Sequence, residues 1–120
     1  MVNIQVPISV GELLDKISIL SIKSQHTSSK YVTKELQDLI KIAQKHQVYD
    51  ASYVSQLLQV NRKLWKIEDD LRVLEKSQIF DENFIELARS VYITNNLRAR
   101  IKKEINEKYN SRYKEIKVHK

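Results

Sequence analysis

DASYVSQLLQVNRKLWKIEDDLRVLE, residues 50–75, is the stretch that decides the fold of this chain. Its apolar side chains alternate steps of four and three positions, and they are Tyr53, Leu57, Val60, Leu64, Ile67, Leu71 and Leu74. A seam with this spacing predicts one long amphipathic helix that packs against another helix. Asp50 precedes the seam and has the short polar side chain that caps a helix N-terminus.

The remainder of the chain also predicts helix, because no glycine or proline follows Gly11. These two residues are the strongest helix breakers, so a long stretch without them is typical of an almost wholly helical chain. Three breaks, at residues 26–29, 46–50 and 76–80, divide it into four helices. We expect the first helix to end at about Ser24 and the second to span residues 30–45. The fourth begins after the cap Asp81 and ends at about Tyr109.

The other three predicted helices also carry apolar stripes that would face a common core. The stripes are Val10, Leu13, Leu14, Ile17 and Leu20 in the first helix, Val32, Leu36, Leu39, Ile40 and Ala43 in the second, and Phe84, Leu87, Ala88, Val91, Leu97, Ile101 and Ile105 in the fourth. Ser9 and Glu12 have the spacing of a capping box. Phe80 and Ile85 have the spacing of a hydrophobic staple at the start of the fourth helix.

The predicted fold is all-α, one domain over residues 1–120, with four helices dominated by a long antiparallel hairpin of the third and fourth. Each hairpin helix would be roughly 40 Å long at 1.5 Å per residue, and the two shorter helices cannot cover that length. An uncovered apolar seam commonly packs on a second copy, so we expect a homodimer. Residues 3–6 and 113–118 alternate polar and apolar side chains, which indicates either a small terminal two-stranded ribbon or a disordered basic tail at residues 110–120.

Composition excludes several classes of function. There is no cysteine, no apolar run approaches the roughly 20 residues of a membrane span, and residues 1–7 lack a signal-peptide pattern. We therefore expect a cytoplasmic protein without membrane contact. One glycine excludes a glycine-rich phosphate loop, and the isolated histidines indicate neither a metal site nor a cofactor. No nucleophile and base suggest a reaction, so the sequence does not assign catalysis.

The net charge of +6 lies entirely at the C-terminal end. Residues 98–120 carry nine basic and three acidic groups, whereas the basic and acidic groups of residues 1–97 balance. Cations near a helix C-terminus complement the helix dipole, which is the reading we favour. RNA binding is the alternative, but no motif of aromatic residues among the basic ones accompanies the charge.

Polar residues lie beside the apolar stripes of three helices, where they would border the core. They are Glu12, Asp15, Lys16 and Lys23 in the first helix, Asn61, Trp65, Glu68 and Arg72 in the third, and Tyr92, Asn95, Arg98, Lys102 and Asn106 in the fourth, where the small apolar Ala99 occupies one position of the row. A charge buried without a partner is strongly unfavourable. If these rows converge, they form either a self-satisfied network or a cleft whose surplus cations bind an anion.

The opening VPISVGELLDKISIL, residues 6–20, resembles that of a small uncharacterised helical family of bacteria and phages that begins V-P-[IV]-S-x-G-E-L-L-D-K-I. Later hallmarks of that family look matched by Asn61, Leu64-Trp65, Ile67-Glu68-Asp69, Arg72, Leu87-Ala88-Arg89, Val91-Tyr92, Asn95, Arg98, Lys102 and Ile105-Asn106. The resemblance implies no activity, only a shared pattern of polar positions, and an association with sugar-transfer and surface-polysaccharide genes. Asn96 and Ser21 depart from the aspartate and glutamate that it leads us to expect.

The sequence therefore predicts a small binding module whose interhelical cleft accepts an anionic metabolite of the phosphorylated or sugar-nucleotide type. The predicted ligand-binding residues are Glu12, Asp15, Lys16, Trp65, Glu68, Arg72, Tyr92, Asn95, Arg98 and Lys102. Two alternatives stay open. One is a homodimeric interaction protein whose polar network is purely structural, and the other is RNA binding through the basic C-terminal segment.

Overall fold

The computed structural model describes residues 1–118, which form four helices. They are α1 (Val10–His26), α2 (Lys30–Lys45), α3 (Ala51–Lys76) and α4 (Glu82–Lys108). The predicted all-α class is confirmed, and α1 ends two residues later than expected. The terminal ribbon does not form, since residues 3–6 and 113–118 contain no strand. Ser111 and Glu115 instead attach the C-terminal segment to α1 and α4.

Three helices begin with the predicted side-chain caps. Ser9, Asp50 and Asp81 each accept a hydrogen bond from the backbone N–H three residues later. Two details differ from expectation. The carboxylate of Glu12 pairs with Lys102 of α4, so only the Ser9 half of the predicted capping box was correct. The ring of Phe80 packs edge-on against that of Phe84, and Ile85, its expected partner, is exposed.

α2, α3 and α4 end without glycine, each at a residue in the left-handed conformation. These residues are Gln47, Gln78 and Asn110, with φ of 59°, 55° and 48°. In each case the N–H of the next residue returns to the carbonyl five positions earlier, as from Ile79 to Leu74 at 2.9 Å. This is the Schellman pattern, which satisfies carbonyls that the helix end leaves open. Its hydrogen bonds offset the strain of a left-handed residue that has a Cβ.

The core is built around α1, which packs against each of the other three helices within the described residues. The innermost side chains are Leu14 and Ile17 of α1, Leu57 of α3 and Ile105 of α4. Most of the predicted stripes are buried or half-buried, but Ala88 and Leu97 are exposed, contrary to prediction. Ala88 lies in the part of α4 beyond the end of α1, and Leu97 lines an open pocket between α4 and Gln56, Gln59 and Val60 of α3.

α1 is too short to accompany the whole α3–α4 hairpin. Its 17 residues span about 25 Å, whereas the 27 residues of α4 span about 40 Å. Its last residue, His26, stacks on Trp65 of α3 at a ring separation of 4.7 Å. We call residues 66–93, which lie beyond this stack, the distal hairpin. None of the four helices is long and apolar enough to cross a membrane.

Gly11 allows the N-terminus of α1 to approach α4 closely. Its N–H donates to the side-chain oxygen of Asn106 at 2.7 Å. A Cβ at this position would lie 2.6 Å from the backbone oxygen of Lys102 and 2.9 Å from the same Asn106 oxygen. Because the first of these atoms belongs to a helix backbone, a side chain here would force α1 and α4 apart.

Asp50, which precedes the first residue of α3, joins this helix to the end of α4. Besides capping α3, its carboxylate accepts hydrogen bonds from Lys108 at 2.7 Å and from the Tyr109 hydroxyl at 2.6 Å. The Lys108 hydrogen bond, followed by that of Tyr109, lowers the pKa of Asp50 from 3.8 to about 2. The same contact with Asp50 raises the pKa values of Lys108 and Tyr109. The start of α3 is thereby fixed to the end of α4.

Replacing Gly11 with alanine tests the close approach of α1 to α4. Alanine normally favours a helix over glycine by about 1 kcal/mol, but here we expect the free energy of unfolding to fall by about 1–3 kcal/mol from overpacking. Urea denaturation measures the change. Ser55→Ala, at an exposed position of α3, is the control and should leave stability almost unchanged. A stabilised Gly11→Ala variant would contradict the contact.

Acid titration tests the Asp50 cluster through Asp50→Asn, which keeps a capping oxygen but removes the charge. Because the folded-state pKa of Asp50 is depressed, its stabilisation is present above about pH 4 and is lost as the pH falls through about 2. The difference in unfolding free energy between wild type and variant should therefore shrink over that interval. Asp38→Asn, in an exposed pair on α2, is the control. A difference independent of pH would show that the charge contributes nothing.

Candidate functional site: a polar cluster beneath α1

Asp15 is the centre of a polar cluster between three helices, although it lies in the middle of the apolar face of α1 and is fully buried. Arg98 of α4 donates two hydrogen bonds to its carboxylate, from Nε to Oδ1 at 3.0 Å and from Nη2 to Oδ2 at 2.5 Å. Asn61 of α3 donates to the same carboxylate at 2.9 Å and to the Ser18 hydroxyl at 2.8 Å. The Ser18 hydroxyl in turn donates to the backbone carbonyl of Asp15. The buried carboxylate is therefore fully engaged.

A second ion cluster lies one turn towards the N-terminus of α1. The ammonium group of Lys102 is 2.8 Å from the carboxylate of Glu12 and 3.3 Å from that of Glu115 in the C-terminal segment. Lys102 is buried apart from 7% of its surface. A lysine in this position needs counter-charges, since an unpaired buried ammonium is strongly disfavoured. Two carboxylates from different elements supply them.

The electrostatics of both cations favour the charged state. The hydrogen bond to Asp15 raises the pKa of Arg98 above its ordinary value, against the opposing effect of burial. Burial alone would lower the pKa of Lys102, but the hydrogen bond and charge of Glu12, with the charge of Glu115, outweigh it and raise the pKa. Three carboxylates thus face two cations in this cluster. It has no surplus positive charge to offer an anion.

Two buried polar atoms in the neighbourhood have no hydrogen-bond partner among the described residues. They are the hydroxyl of Thr94 and the side-chain nitrogen of Asn106. Leaving a buried donor without an acceptor costs about 1–3 kcal/mol. The Gly11 N–H donates to the Asn106 side-chain oxygen and thereby fixes the orientation of the amide, which leaves its nitrogen without a partner among the described residues.

The structure separates the remaining predicted site residues from this cluster. Lys16 pairs with Glu35 of α2 at 3.4 Å, where both side chains are about half exposed. Arg72 lies on the surface and pairs with Asp69 and Glu68 of its own helix. Trp65 is covered by His26. Tyr92 is exposed and Asn95 half-buried. Of the ten predicted residues, Asp15, Arg98, Glu12 and Lys102 therefore meet.

The separated residues nevertheless continue the same two rows. Asn61 contacts α1, and Trp65, Glu68 and Arg72 follow it along that face of α3 at steps of four, three and four. On α4, Arg98 contacts α1, and Asn95 and Tyr92 follow towards the distal end at steps of three. Past the end of α1 these rows continue along the distal hairpin, which no other described helix contacts. Of the predicted rows, α1 therefore covers only the half that contains Asn61 and Arg98.

Several members of the cluster escaped prediction. Ser18 gave no signal beyond its place three residues after Asp15, which puts both side chains on one face of α1. Ser111 accepts a hydrogen bond from the Val10 N–H at 3.1 Å, and Glu115 pairs with Lys102. Ser111 precedes the alternating residues 113–118, and that alternation indicated a ribbon with residues 3–6, so no sequence pattern predicted that this segment returns to the start of α1.

The chemistry of the cluster indicates a structural role. Within residues 1–118, no three His, Asp or Glu side chains lie close enough together to hold a metal ion. The two central cations are already paired with carboxylates. The arrangement has the features of a self-satisfied network, in which each buried charge has a partner of opposite sign.

The model of a family of unknown function (DUF6165) matches residues 4–119. No curated protein and no solved structure matches the chain.

Arg98→Met separates a structural network from a ligand site. Methionine keeps the apolar stem but leaves the Asp15 carboxylate buried and unpaired, so we expect stability to fall by about 3 kcal/mol in urea denaturation. The double variant Asp15→Asn/Arg98→Met removes the stranded charge and should recover much of that loss. Arg100→Met, exposed on the same helix, is the control. Wild-type stability in Arg98→Met would contradict the structural role.

Proposed function

The chain belongs to this family of unknown function, and we propose from the geometry of its helices that the protein is a homodimeric interaction module. Membership of the family does not itself supply an activity. In this proposal the polar cluster beneath α1 is purely structural, and the distal hairpin is the contact surface. The observation that carries the proposal is the exposure of large apolar side chains there, between 43% and 63%. They are Val73, Ile79, Phe80, Ile85, Tyr92 and, outside the row of Tyr92, Ile93.

The shape of the distal hairpin supports a helical partner. Along the first half of the hairpin, α1 lies against both α3 and α4. Along the second half no third helix of residues 1–118 packs on α3 and α4, although half-buried Leu71, Phe84 and Val91 continue the apolar seam. Helices of a bundle bury such a seam against a neighbouring helix. A second distal hairpin, packed antiparallel, presents helices to the uncovered part of each groove.

Charge favours a second copy in that antiparallel arrangement. Residues 79–88, at the hairpin tip, carry Asp81, Glu82 and Glu86 and no basic group. Residues 23–34, at the turn between α1 and α2, carry Lys23, Lys30 and Lys34 and no acidic group. An antiparallel overlap brings the tip of one protomer to the end of α1 in its partner. A two-fold axis repeats this attractive contact, as an isologous interface requires.

An anionic metabolite in the interhelical cleft stays a prediction that this geometry supports less well. Arg98 and Lys102 are committed to Asp15, Glu12 and Glu115, and Arg72 lies on the surface. A ligand there would have to displace those carboxylates. RNA binding through the basic C-terminal segment also stays a prediction.

Neighbouring substitutions on α4 test the dimer surface. Tyr92 and Ile93 are 54% and 52% exposed, but they point about 100° apart around the helix. Tyr92 belongs to the row that borders the groove, so Tyr92→Glu should weaken self-association at least tenfold, by about 1.4 kcal/mol or more. Ile93→Glu, which adds the same charge outside the row, should leave it unchanged. Sedimentation equilibrium measures both. A monomeric wild type, or equal effects of the two substitutions, would refute the surface.

A charge exchange tests the orientation of the two protomers. Glu82→Lys/Glu86→Lys places cations opposite the partner's lysines, and Lys23→Glu/Lys30→Glu places carboxylates opposite the partner's acidic tip. Each variant alone should associate more weakly than wild type, because like charges meet at both contacts. An equimolar mixture should form heterodimers, since both contacts become attractive again. Failure of the mixture to associate would exclude the antiparallel arrangement, but it would not contradict the proposal that the wild-type protein is a dimer.

A further inference from the structure

We propose that the groove between α4 and residues 111–118 is a binding site for a small anion that carries a phosphate group. The groove has a volume of about 900 Å³, within the range of pockets that hold small ligands. It lies at the opposite end of α4 from the distal hairpin. The proposal is therefore independent of dimerisation.

Charge gives the groove its selectivity. Four cations line it, two from α4 (Arg100 and Lys103) and two from the C-terminal segment (Lys114 and Lys117). Within residues 1–118, none of the four is in an ion pair. This contrasts with the cluster beneath α1, where every cation is already paired.

The carboxylates of the groove are fewer than its cations. Glu107 and Glu115 also line it, but Glu115 is 3.3 Å from the ammonium of Lys102 and is thereby neutralised. The groove therefore has a surplus of positive charge from two different elements. Lysine and arginine nitrogens in such a setting form charge-assisted hydrogen bonds with phosphate oxygens.

The side chain of Asn106 provides a second, independent observation that supports an anion site in this groove. Asn106 lines the groove, is 1% exposed, and its buried side-chain nitrogen has no hydrogen-bond partner in the part of the chain that the structure describes. Its oxygen is occupied by the Gly11 N–H, so the side chain cannot turn over to satisfy the nitrogen without losing that bond. A phosphate oxygen is an acceptor of the required kind. The N-terminus of α1 lies directly behind Asn106, and its positive dipole end favours an anion nearby.

The rest of the lining limits the kind of molecule. Ala99 and Ile116 add apolar surface beside the cations, which suits a phosphate ester with an uncharged portion better than a free inorganic ion. ADP and inorganic pyrophosphate are suitable probes, because they share the phosphate chemistry and differ in that portion. Calorimetric titration of both measures whether the groove binds phosphate and whether it prefers an ester.

Matched charge variants locate the site. Lys103→Ala/Lys114→Ala removes two cations of the groove, whereas Lys41→Ala/Lys45→Ala removes two from α2 and changes the net charge equally. We expect the first variant to bind ADP at least tenfold more weakly, equivalent to about 1.4 kcal/mol, and the second to bind it like wild type. In nuclear magnetic resonance spectra the side-chain NH₂ signals of Asn106 should shift as ADP is added.

Several outcomes would overturn the proposal. Failure of both probes to bind at millimolar concentration excludes a phosphate site. Equal weakening in the two lysine variants shows attraction to net charge alone. Unmoved Asn106 signals place any binding elsewhere. Tight binding of a single-stranded RNA with steep salt dependence and unmoved Asn106 signals would assign the cations to a nucleic-acid surface instead.

Discussion

The ion pair between Asp15 and Arg98 sets the relative positions of three helices. A buried carboxylate is tolerated only with partners at hydrogen-bond distance, and its partners come from α3 (Asn61) and α4 (Arg98). Sliding α1 by one turn in either direction would strand the charge in an apolar core. Hydrophobic burial drives the helices together without direction, whereas this contact admits one register.

The register has consequences at both ends of α1. Towards its N-terminus, Gly11 meets the backbone of α4, and its N–H holds the side chain of Asn106, a residue that lines the C-terminal groove. Towards its C-terminus, α1 stops at the stack of His26 on Trp65. The long hairpin is therefore covered along one half and bare along the other. The placement of α1 along α3 and α4 thus affects both surfaces for which we propose functions, the distal hairpin and the C-terminal groove.

The cations of the protein also fall into two groups, those that stabilise the fold and those that we propose bind a ligand. The cations beneath α1 are enclosed by carboxylates, and their pKa values are raised by those contacts. Removing such a pair affects stability first, because the remaining charge stays buried. Within residues 1–118 the cations of the C-terminal groove form no ion pair, and they lie on exposed side chains, where a change affects stability little. Only cations of the second kind are available to a ligand.

The local features of the fold were predictable from the sequence. The heptad spacing of residues 53–74, the caps Ser9, Asp50 and Asp81, and the lack of glycine and proline each act within a few residues, and together they determined four helices and their bounds. The same reasoning placed Asp15, Arg98 and Lys102 beside the core, since a helix has a fixed angle between successive side chains. It could not separate them from Arg72 and Tyr92, which share their rows.

Only the tertiary structure decided where along those rows α1 lies, and hence which polar residues are buried and which border an open groove. It also decided that Glu115 and Ser111 return to α1, and that Ala88 and Leu97 are left exposed. These outcomes depend on contacts between residues up to about a hundred positions apart in the chain. The periodicity of a helix fixes the angle at which a side chain projects, but the position of one helix along another is fixed by the packing and charge pairing between them.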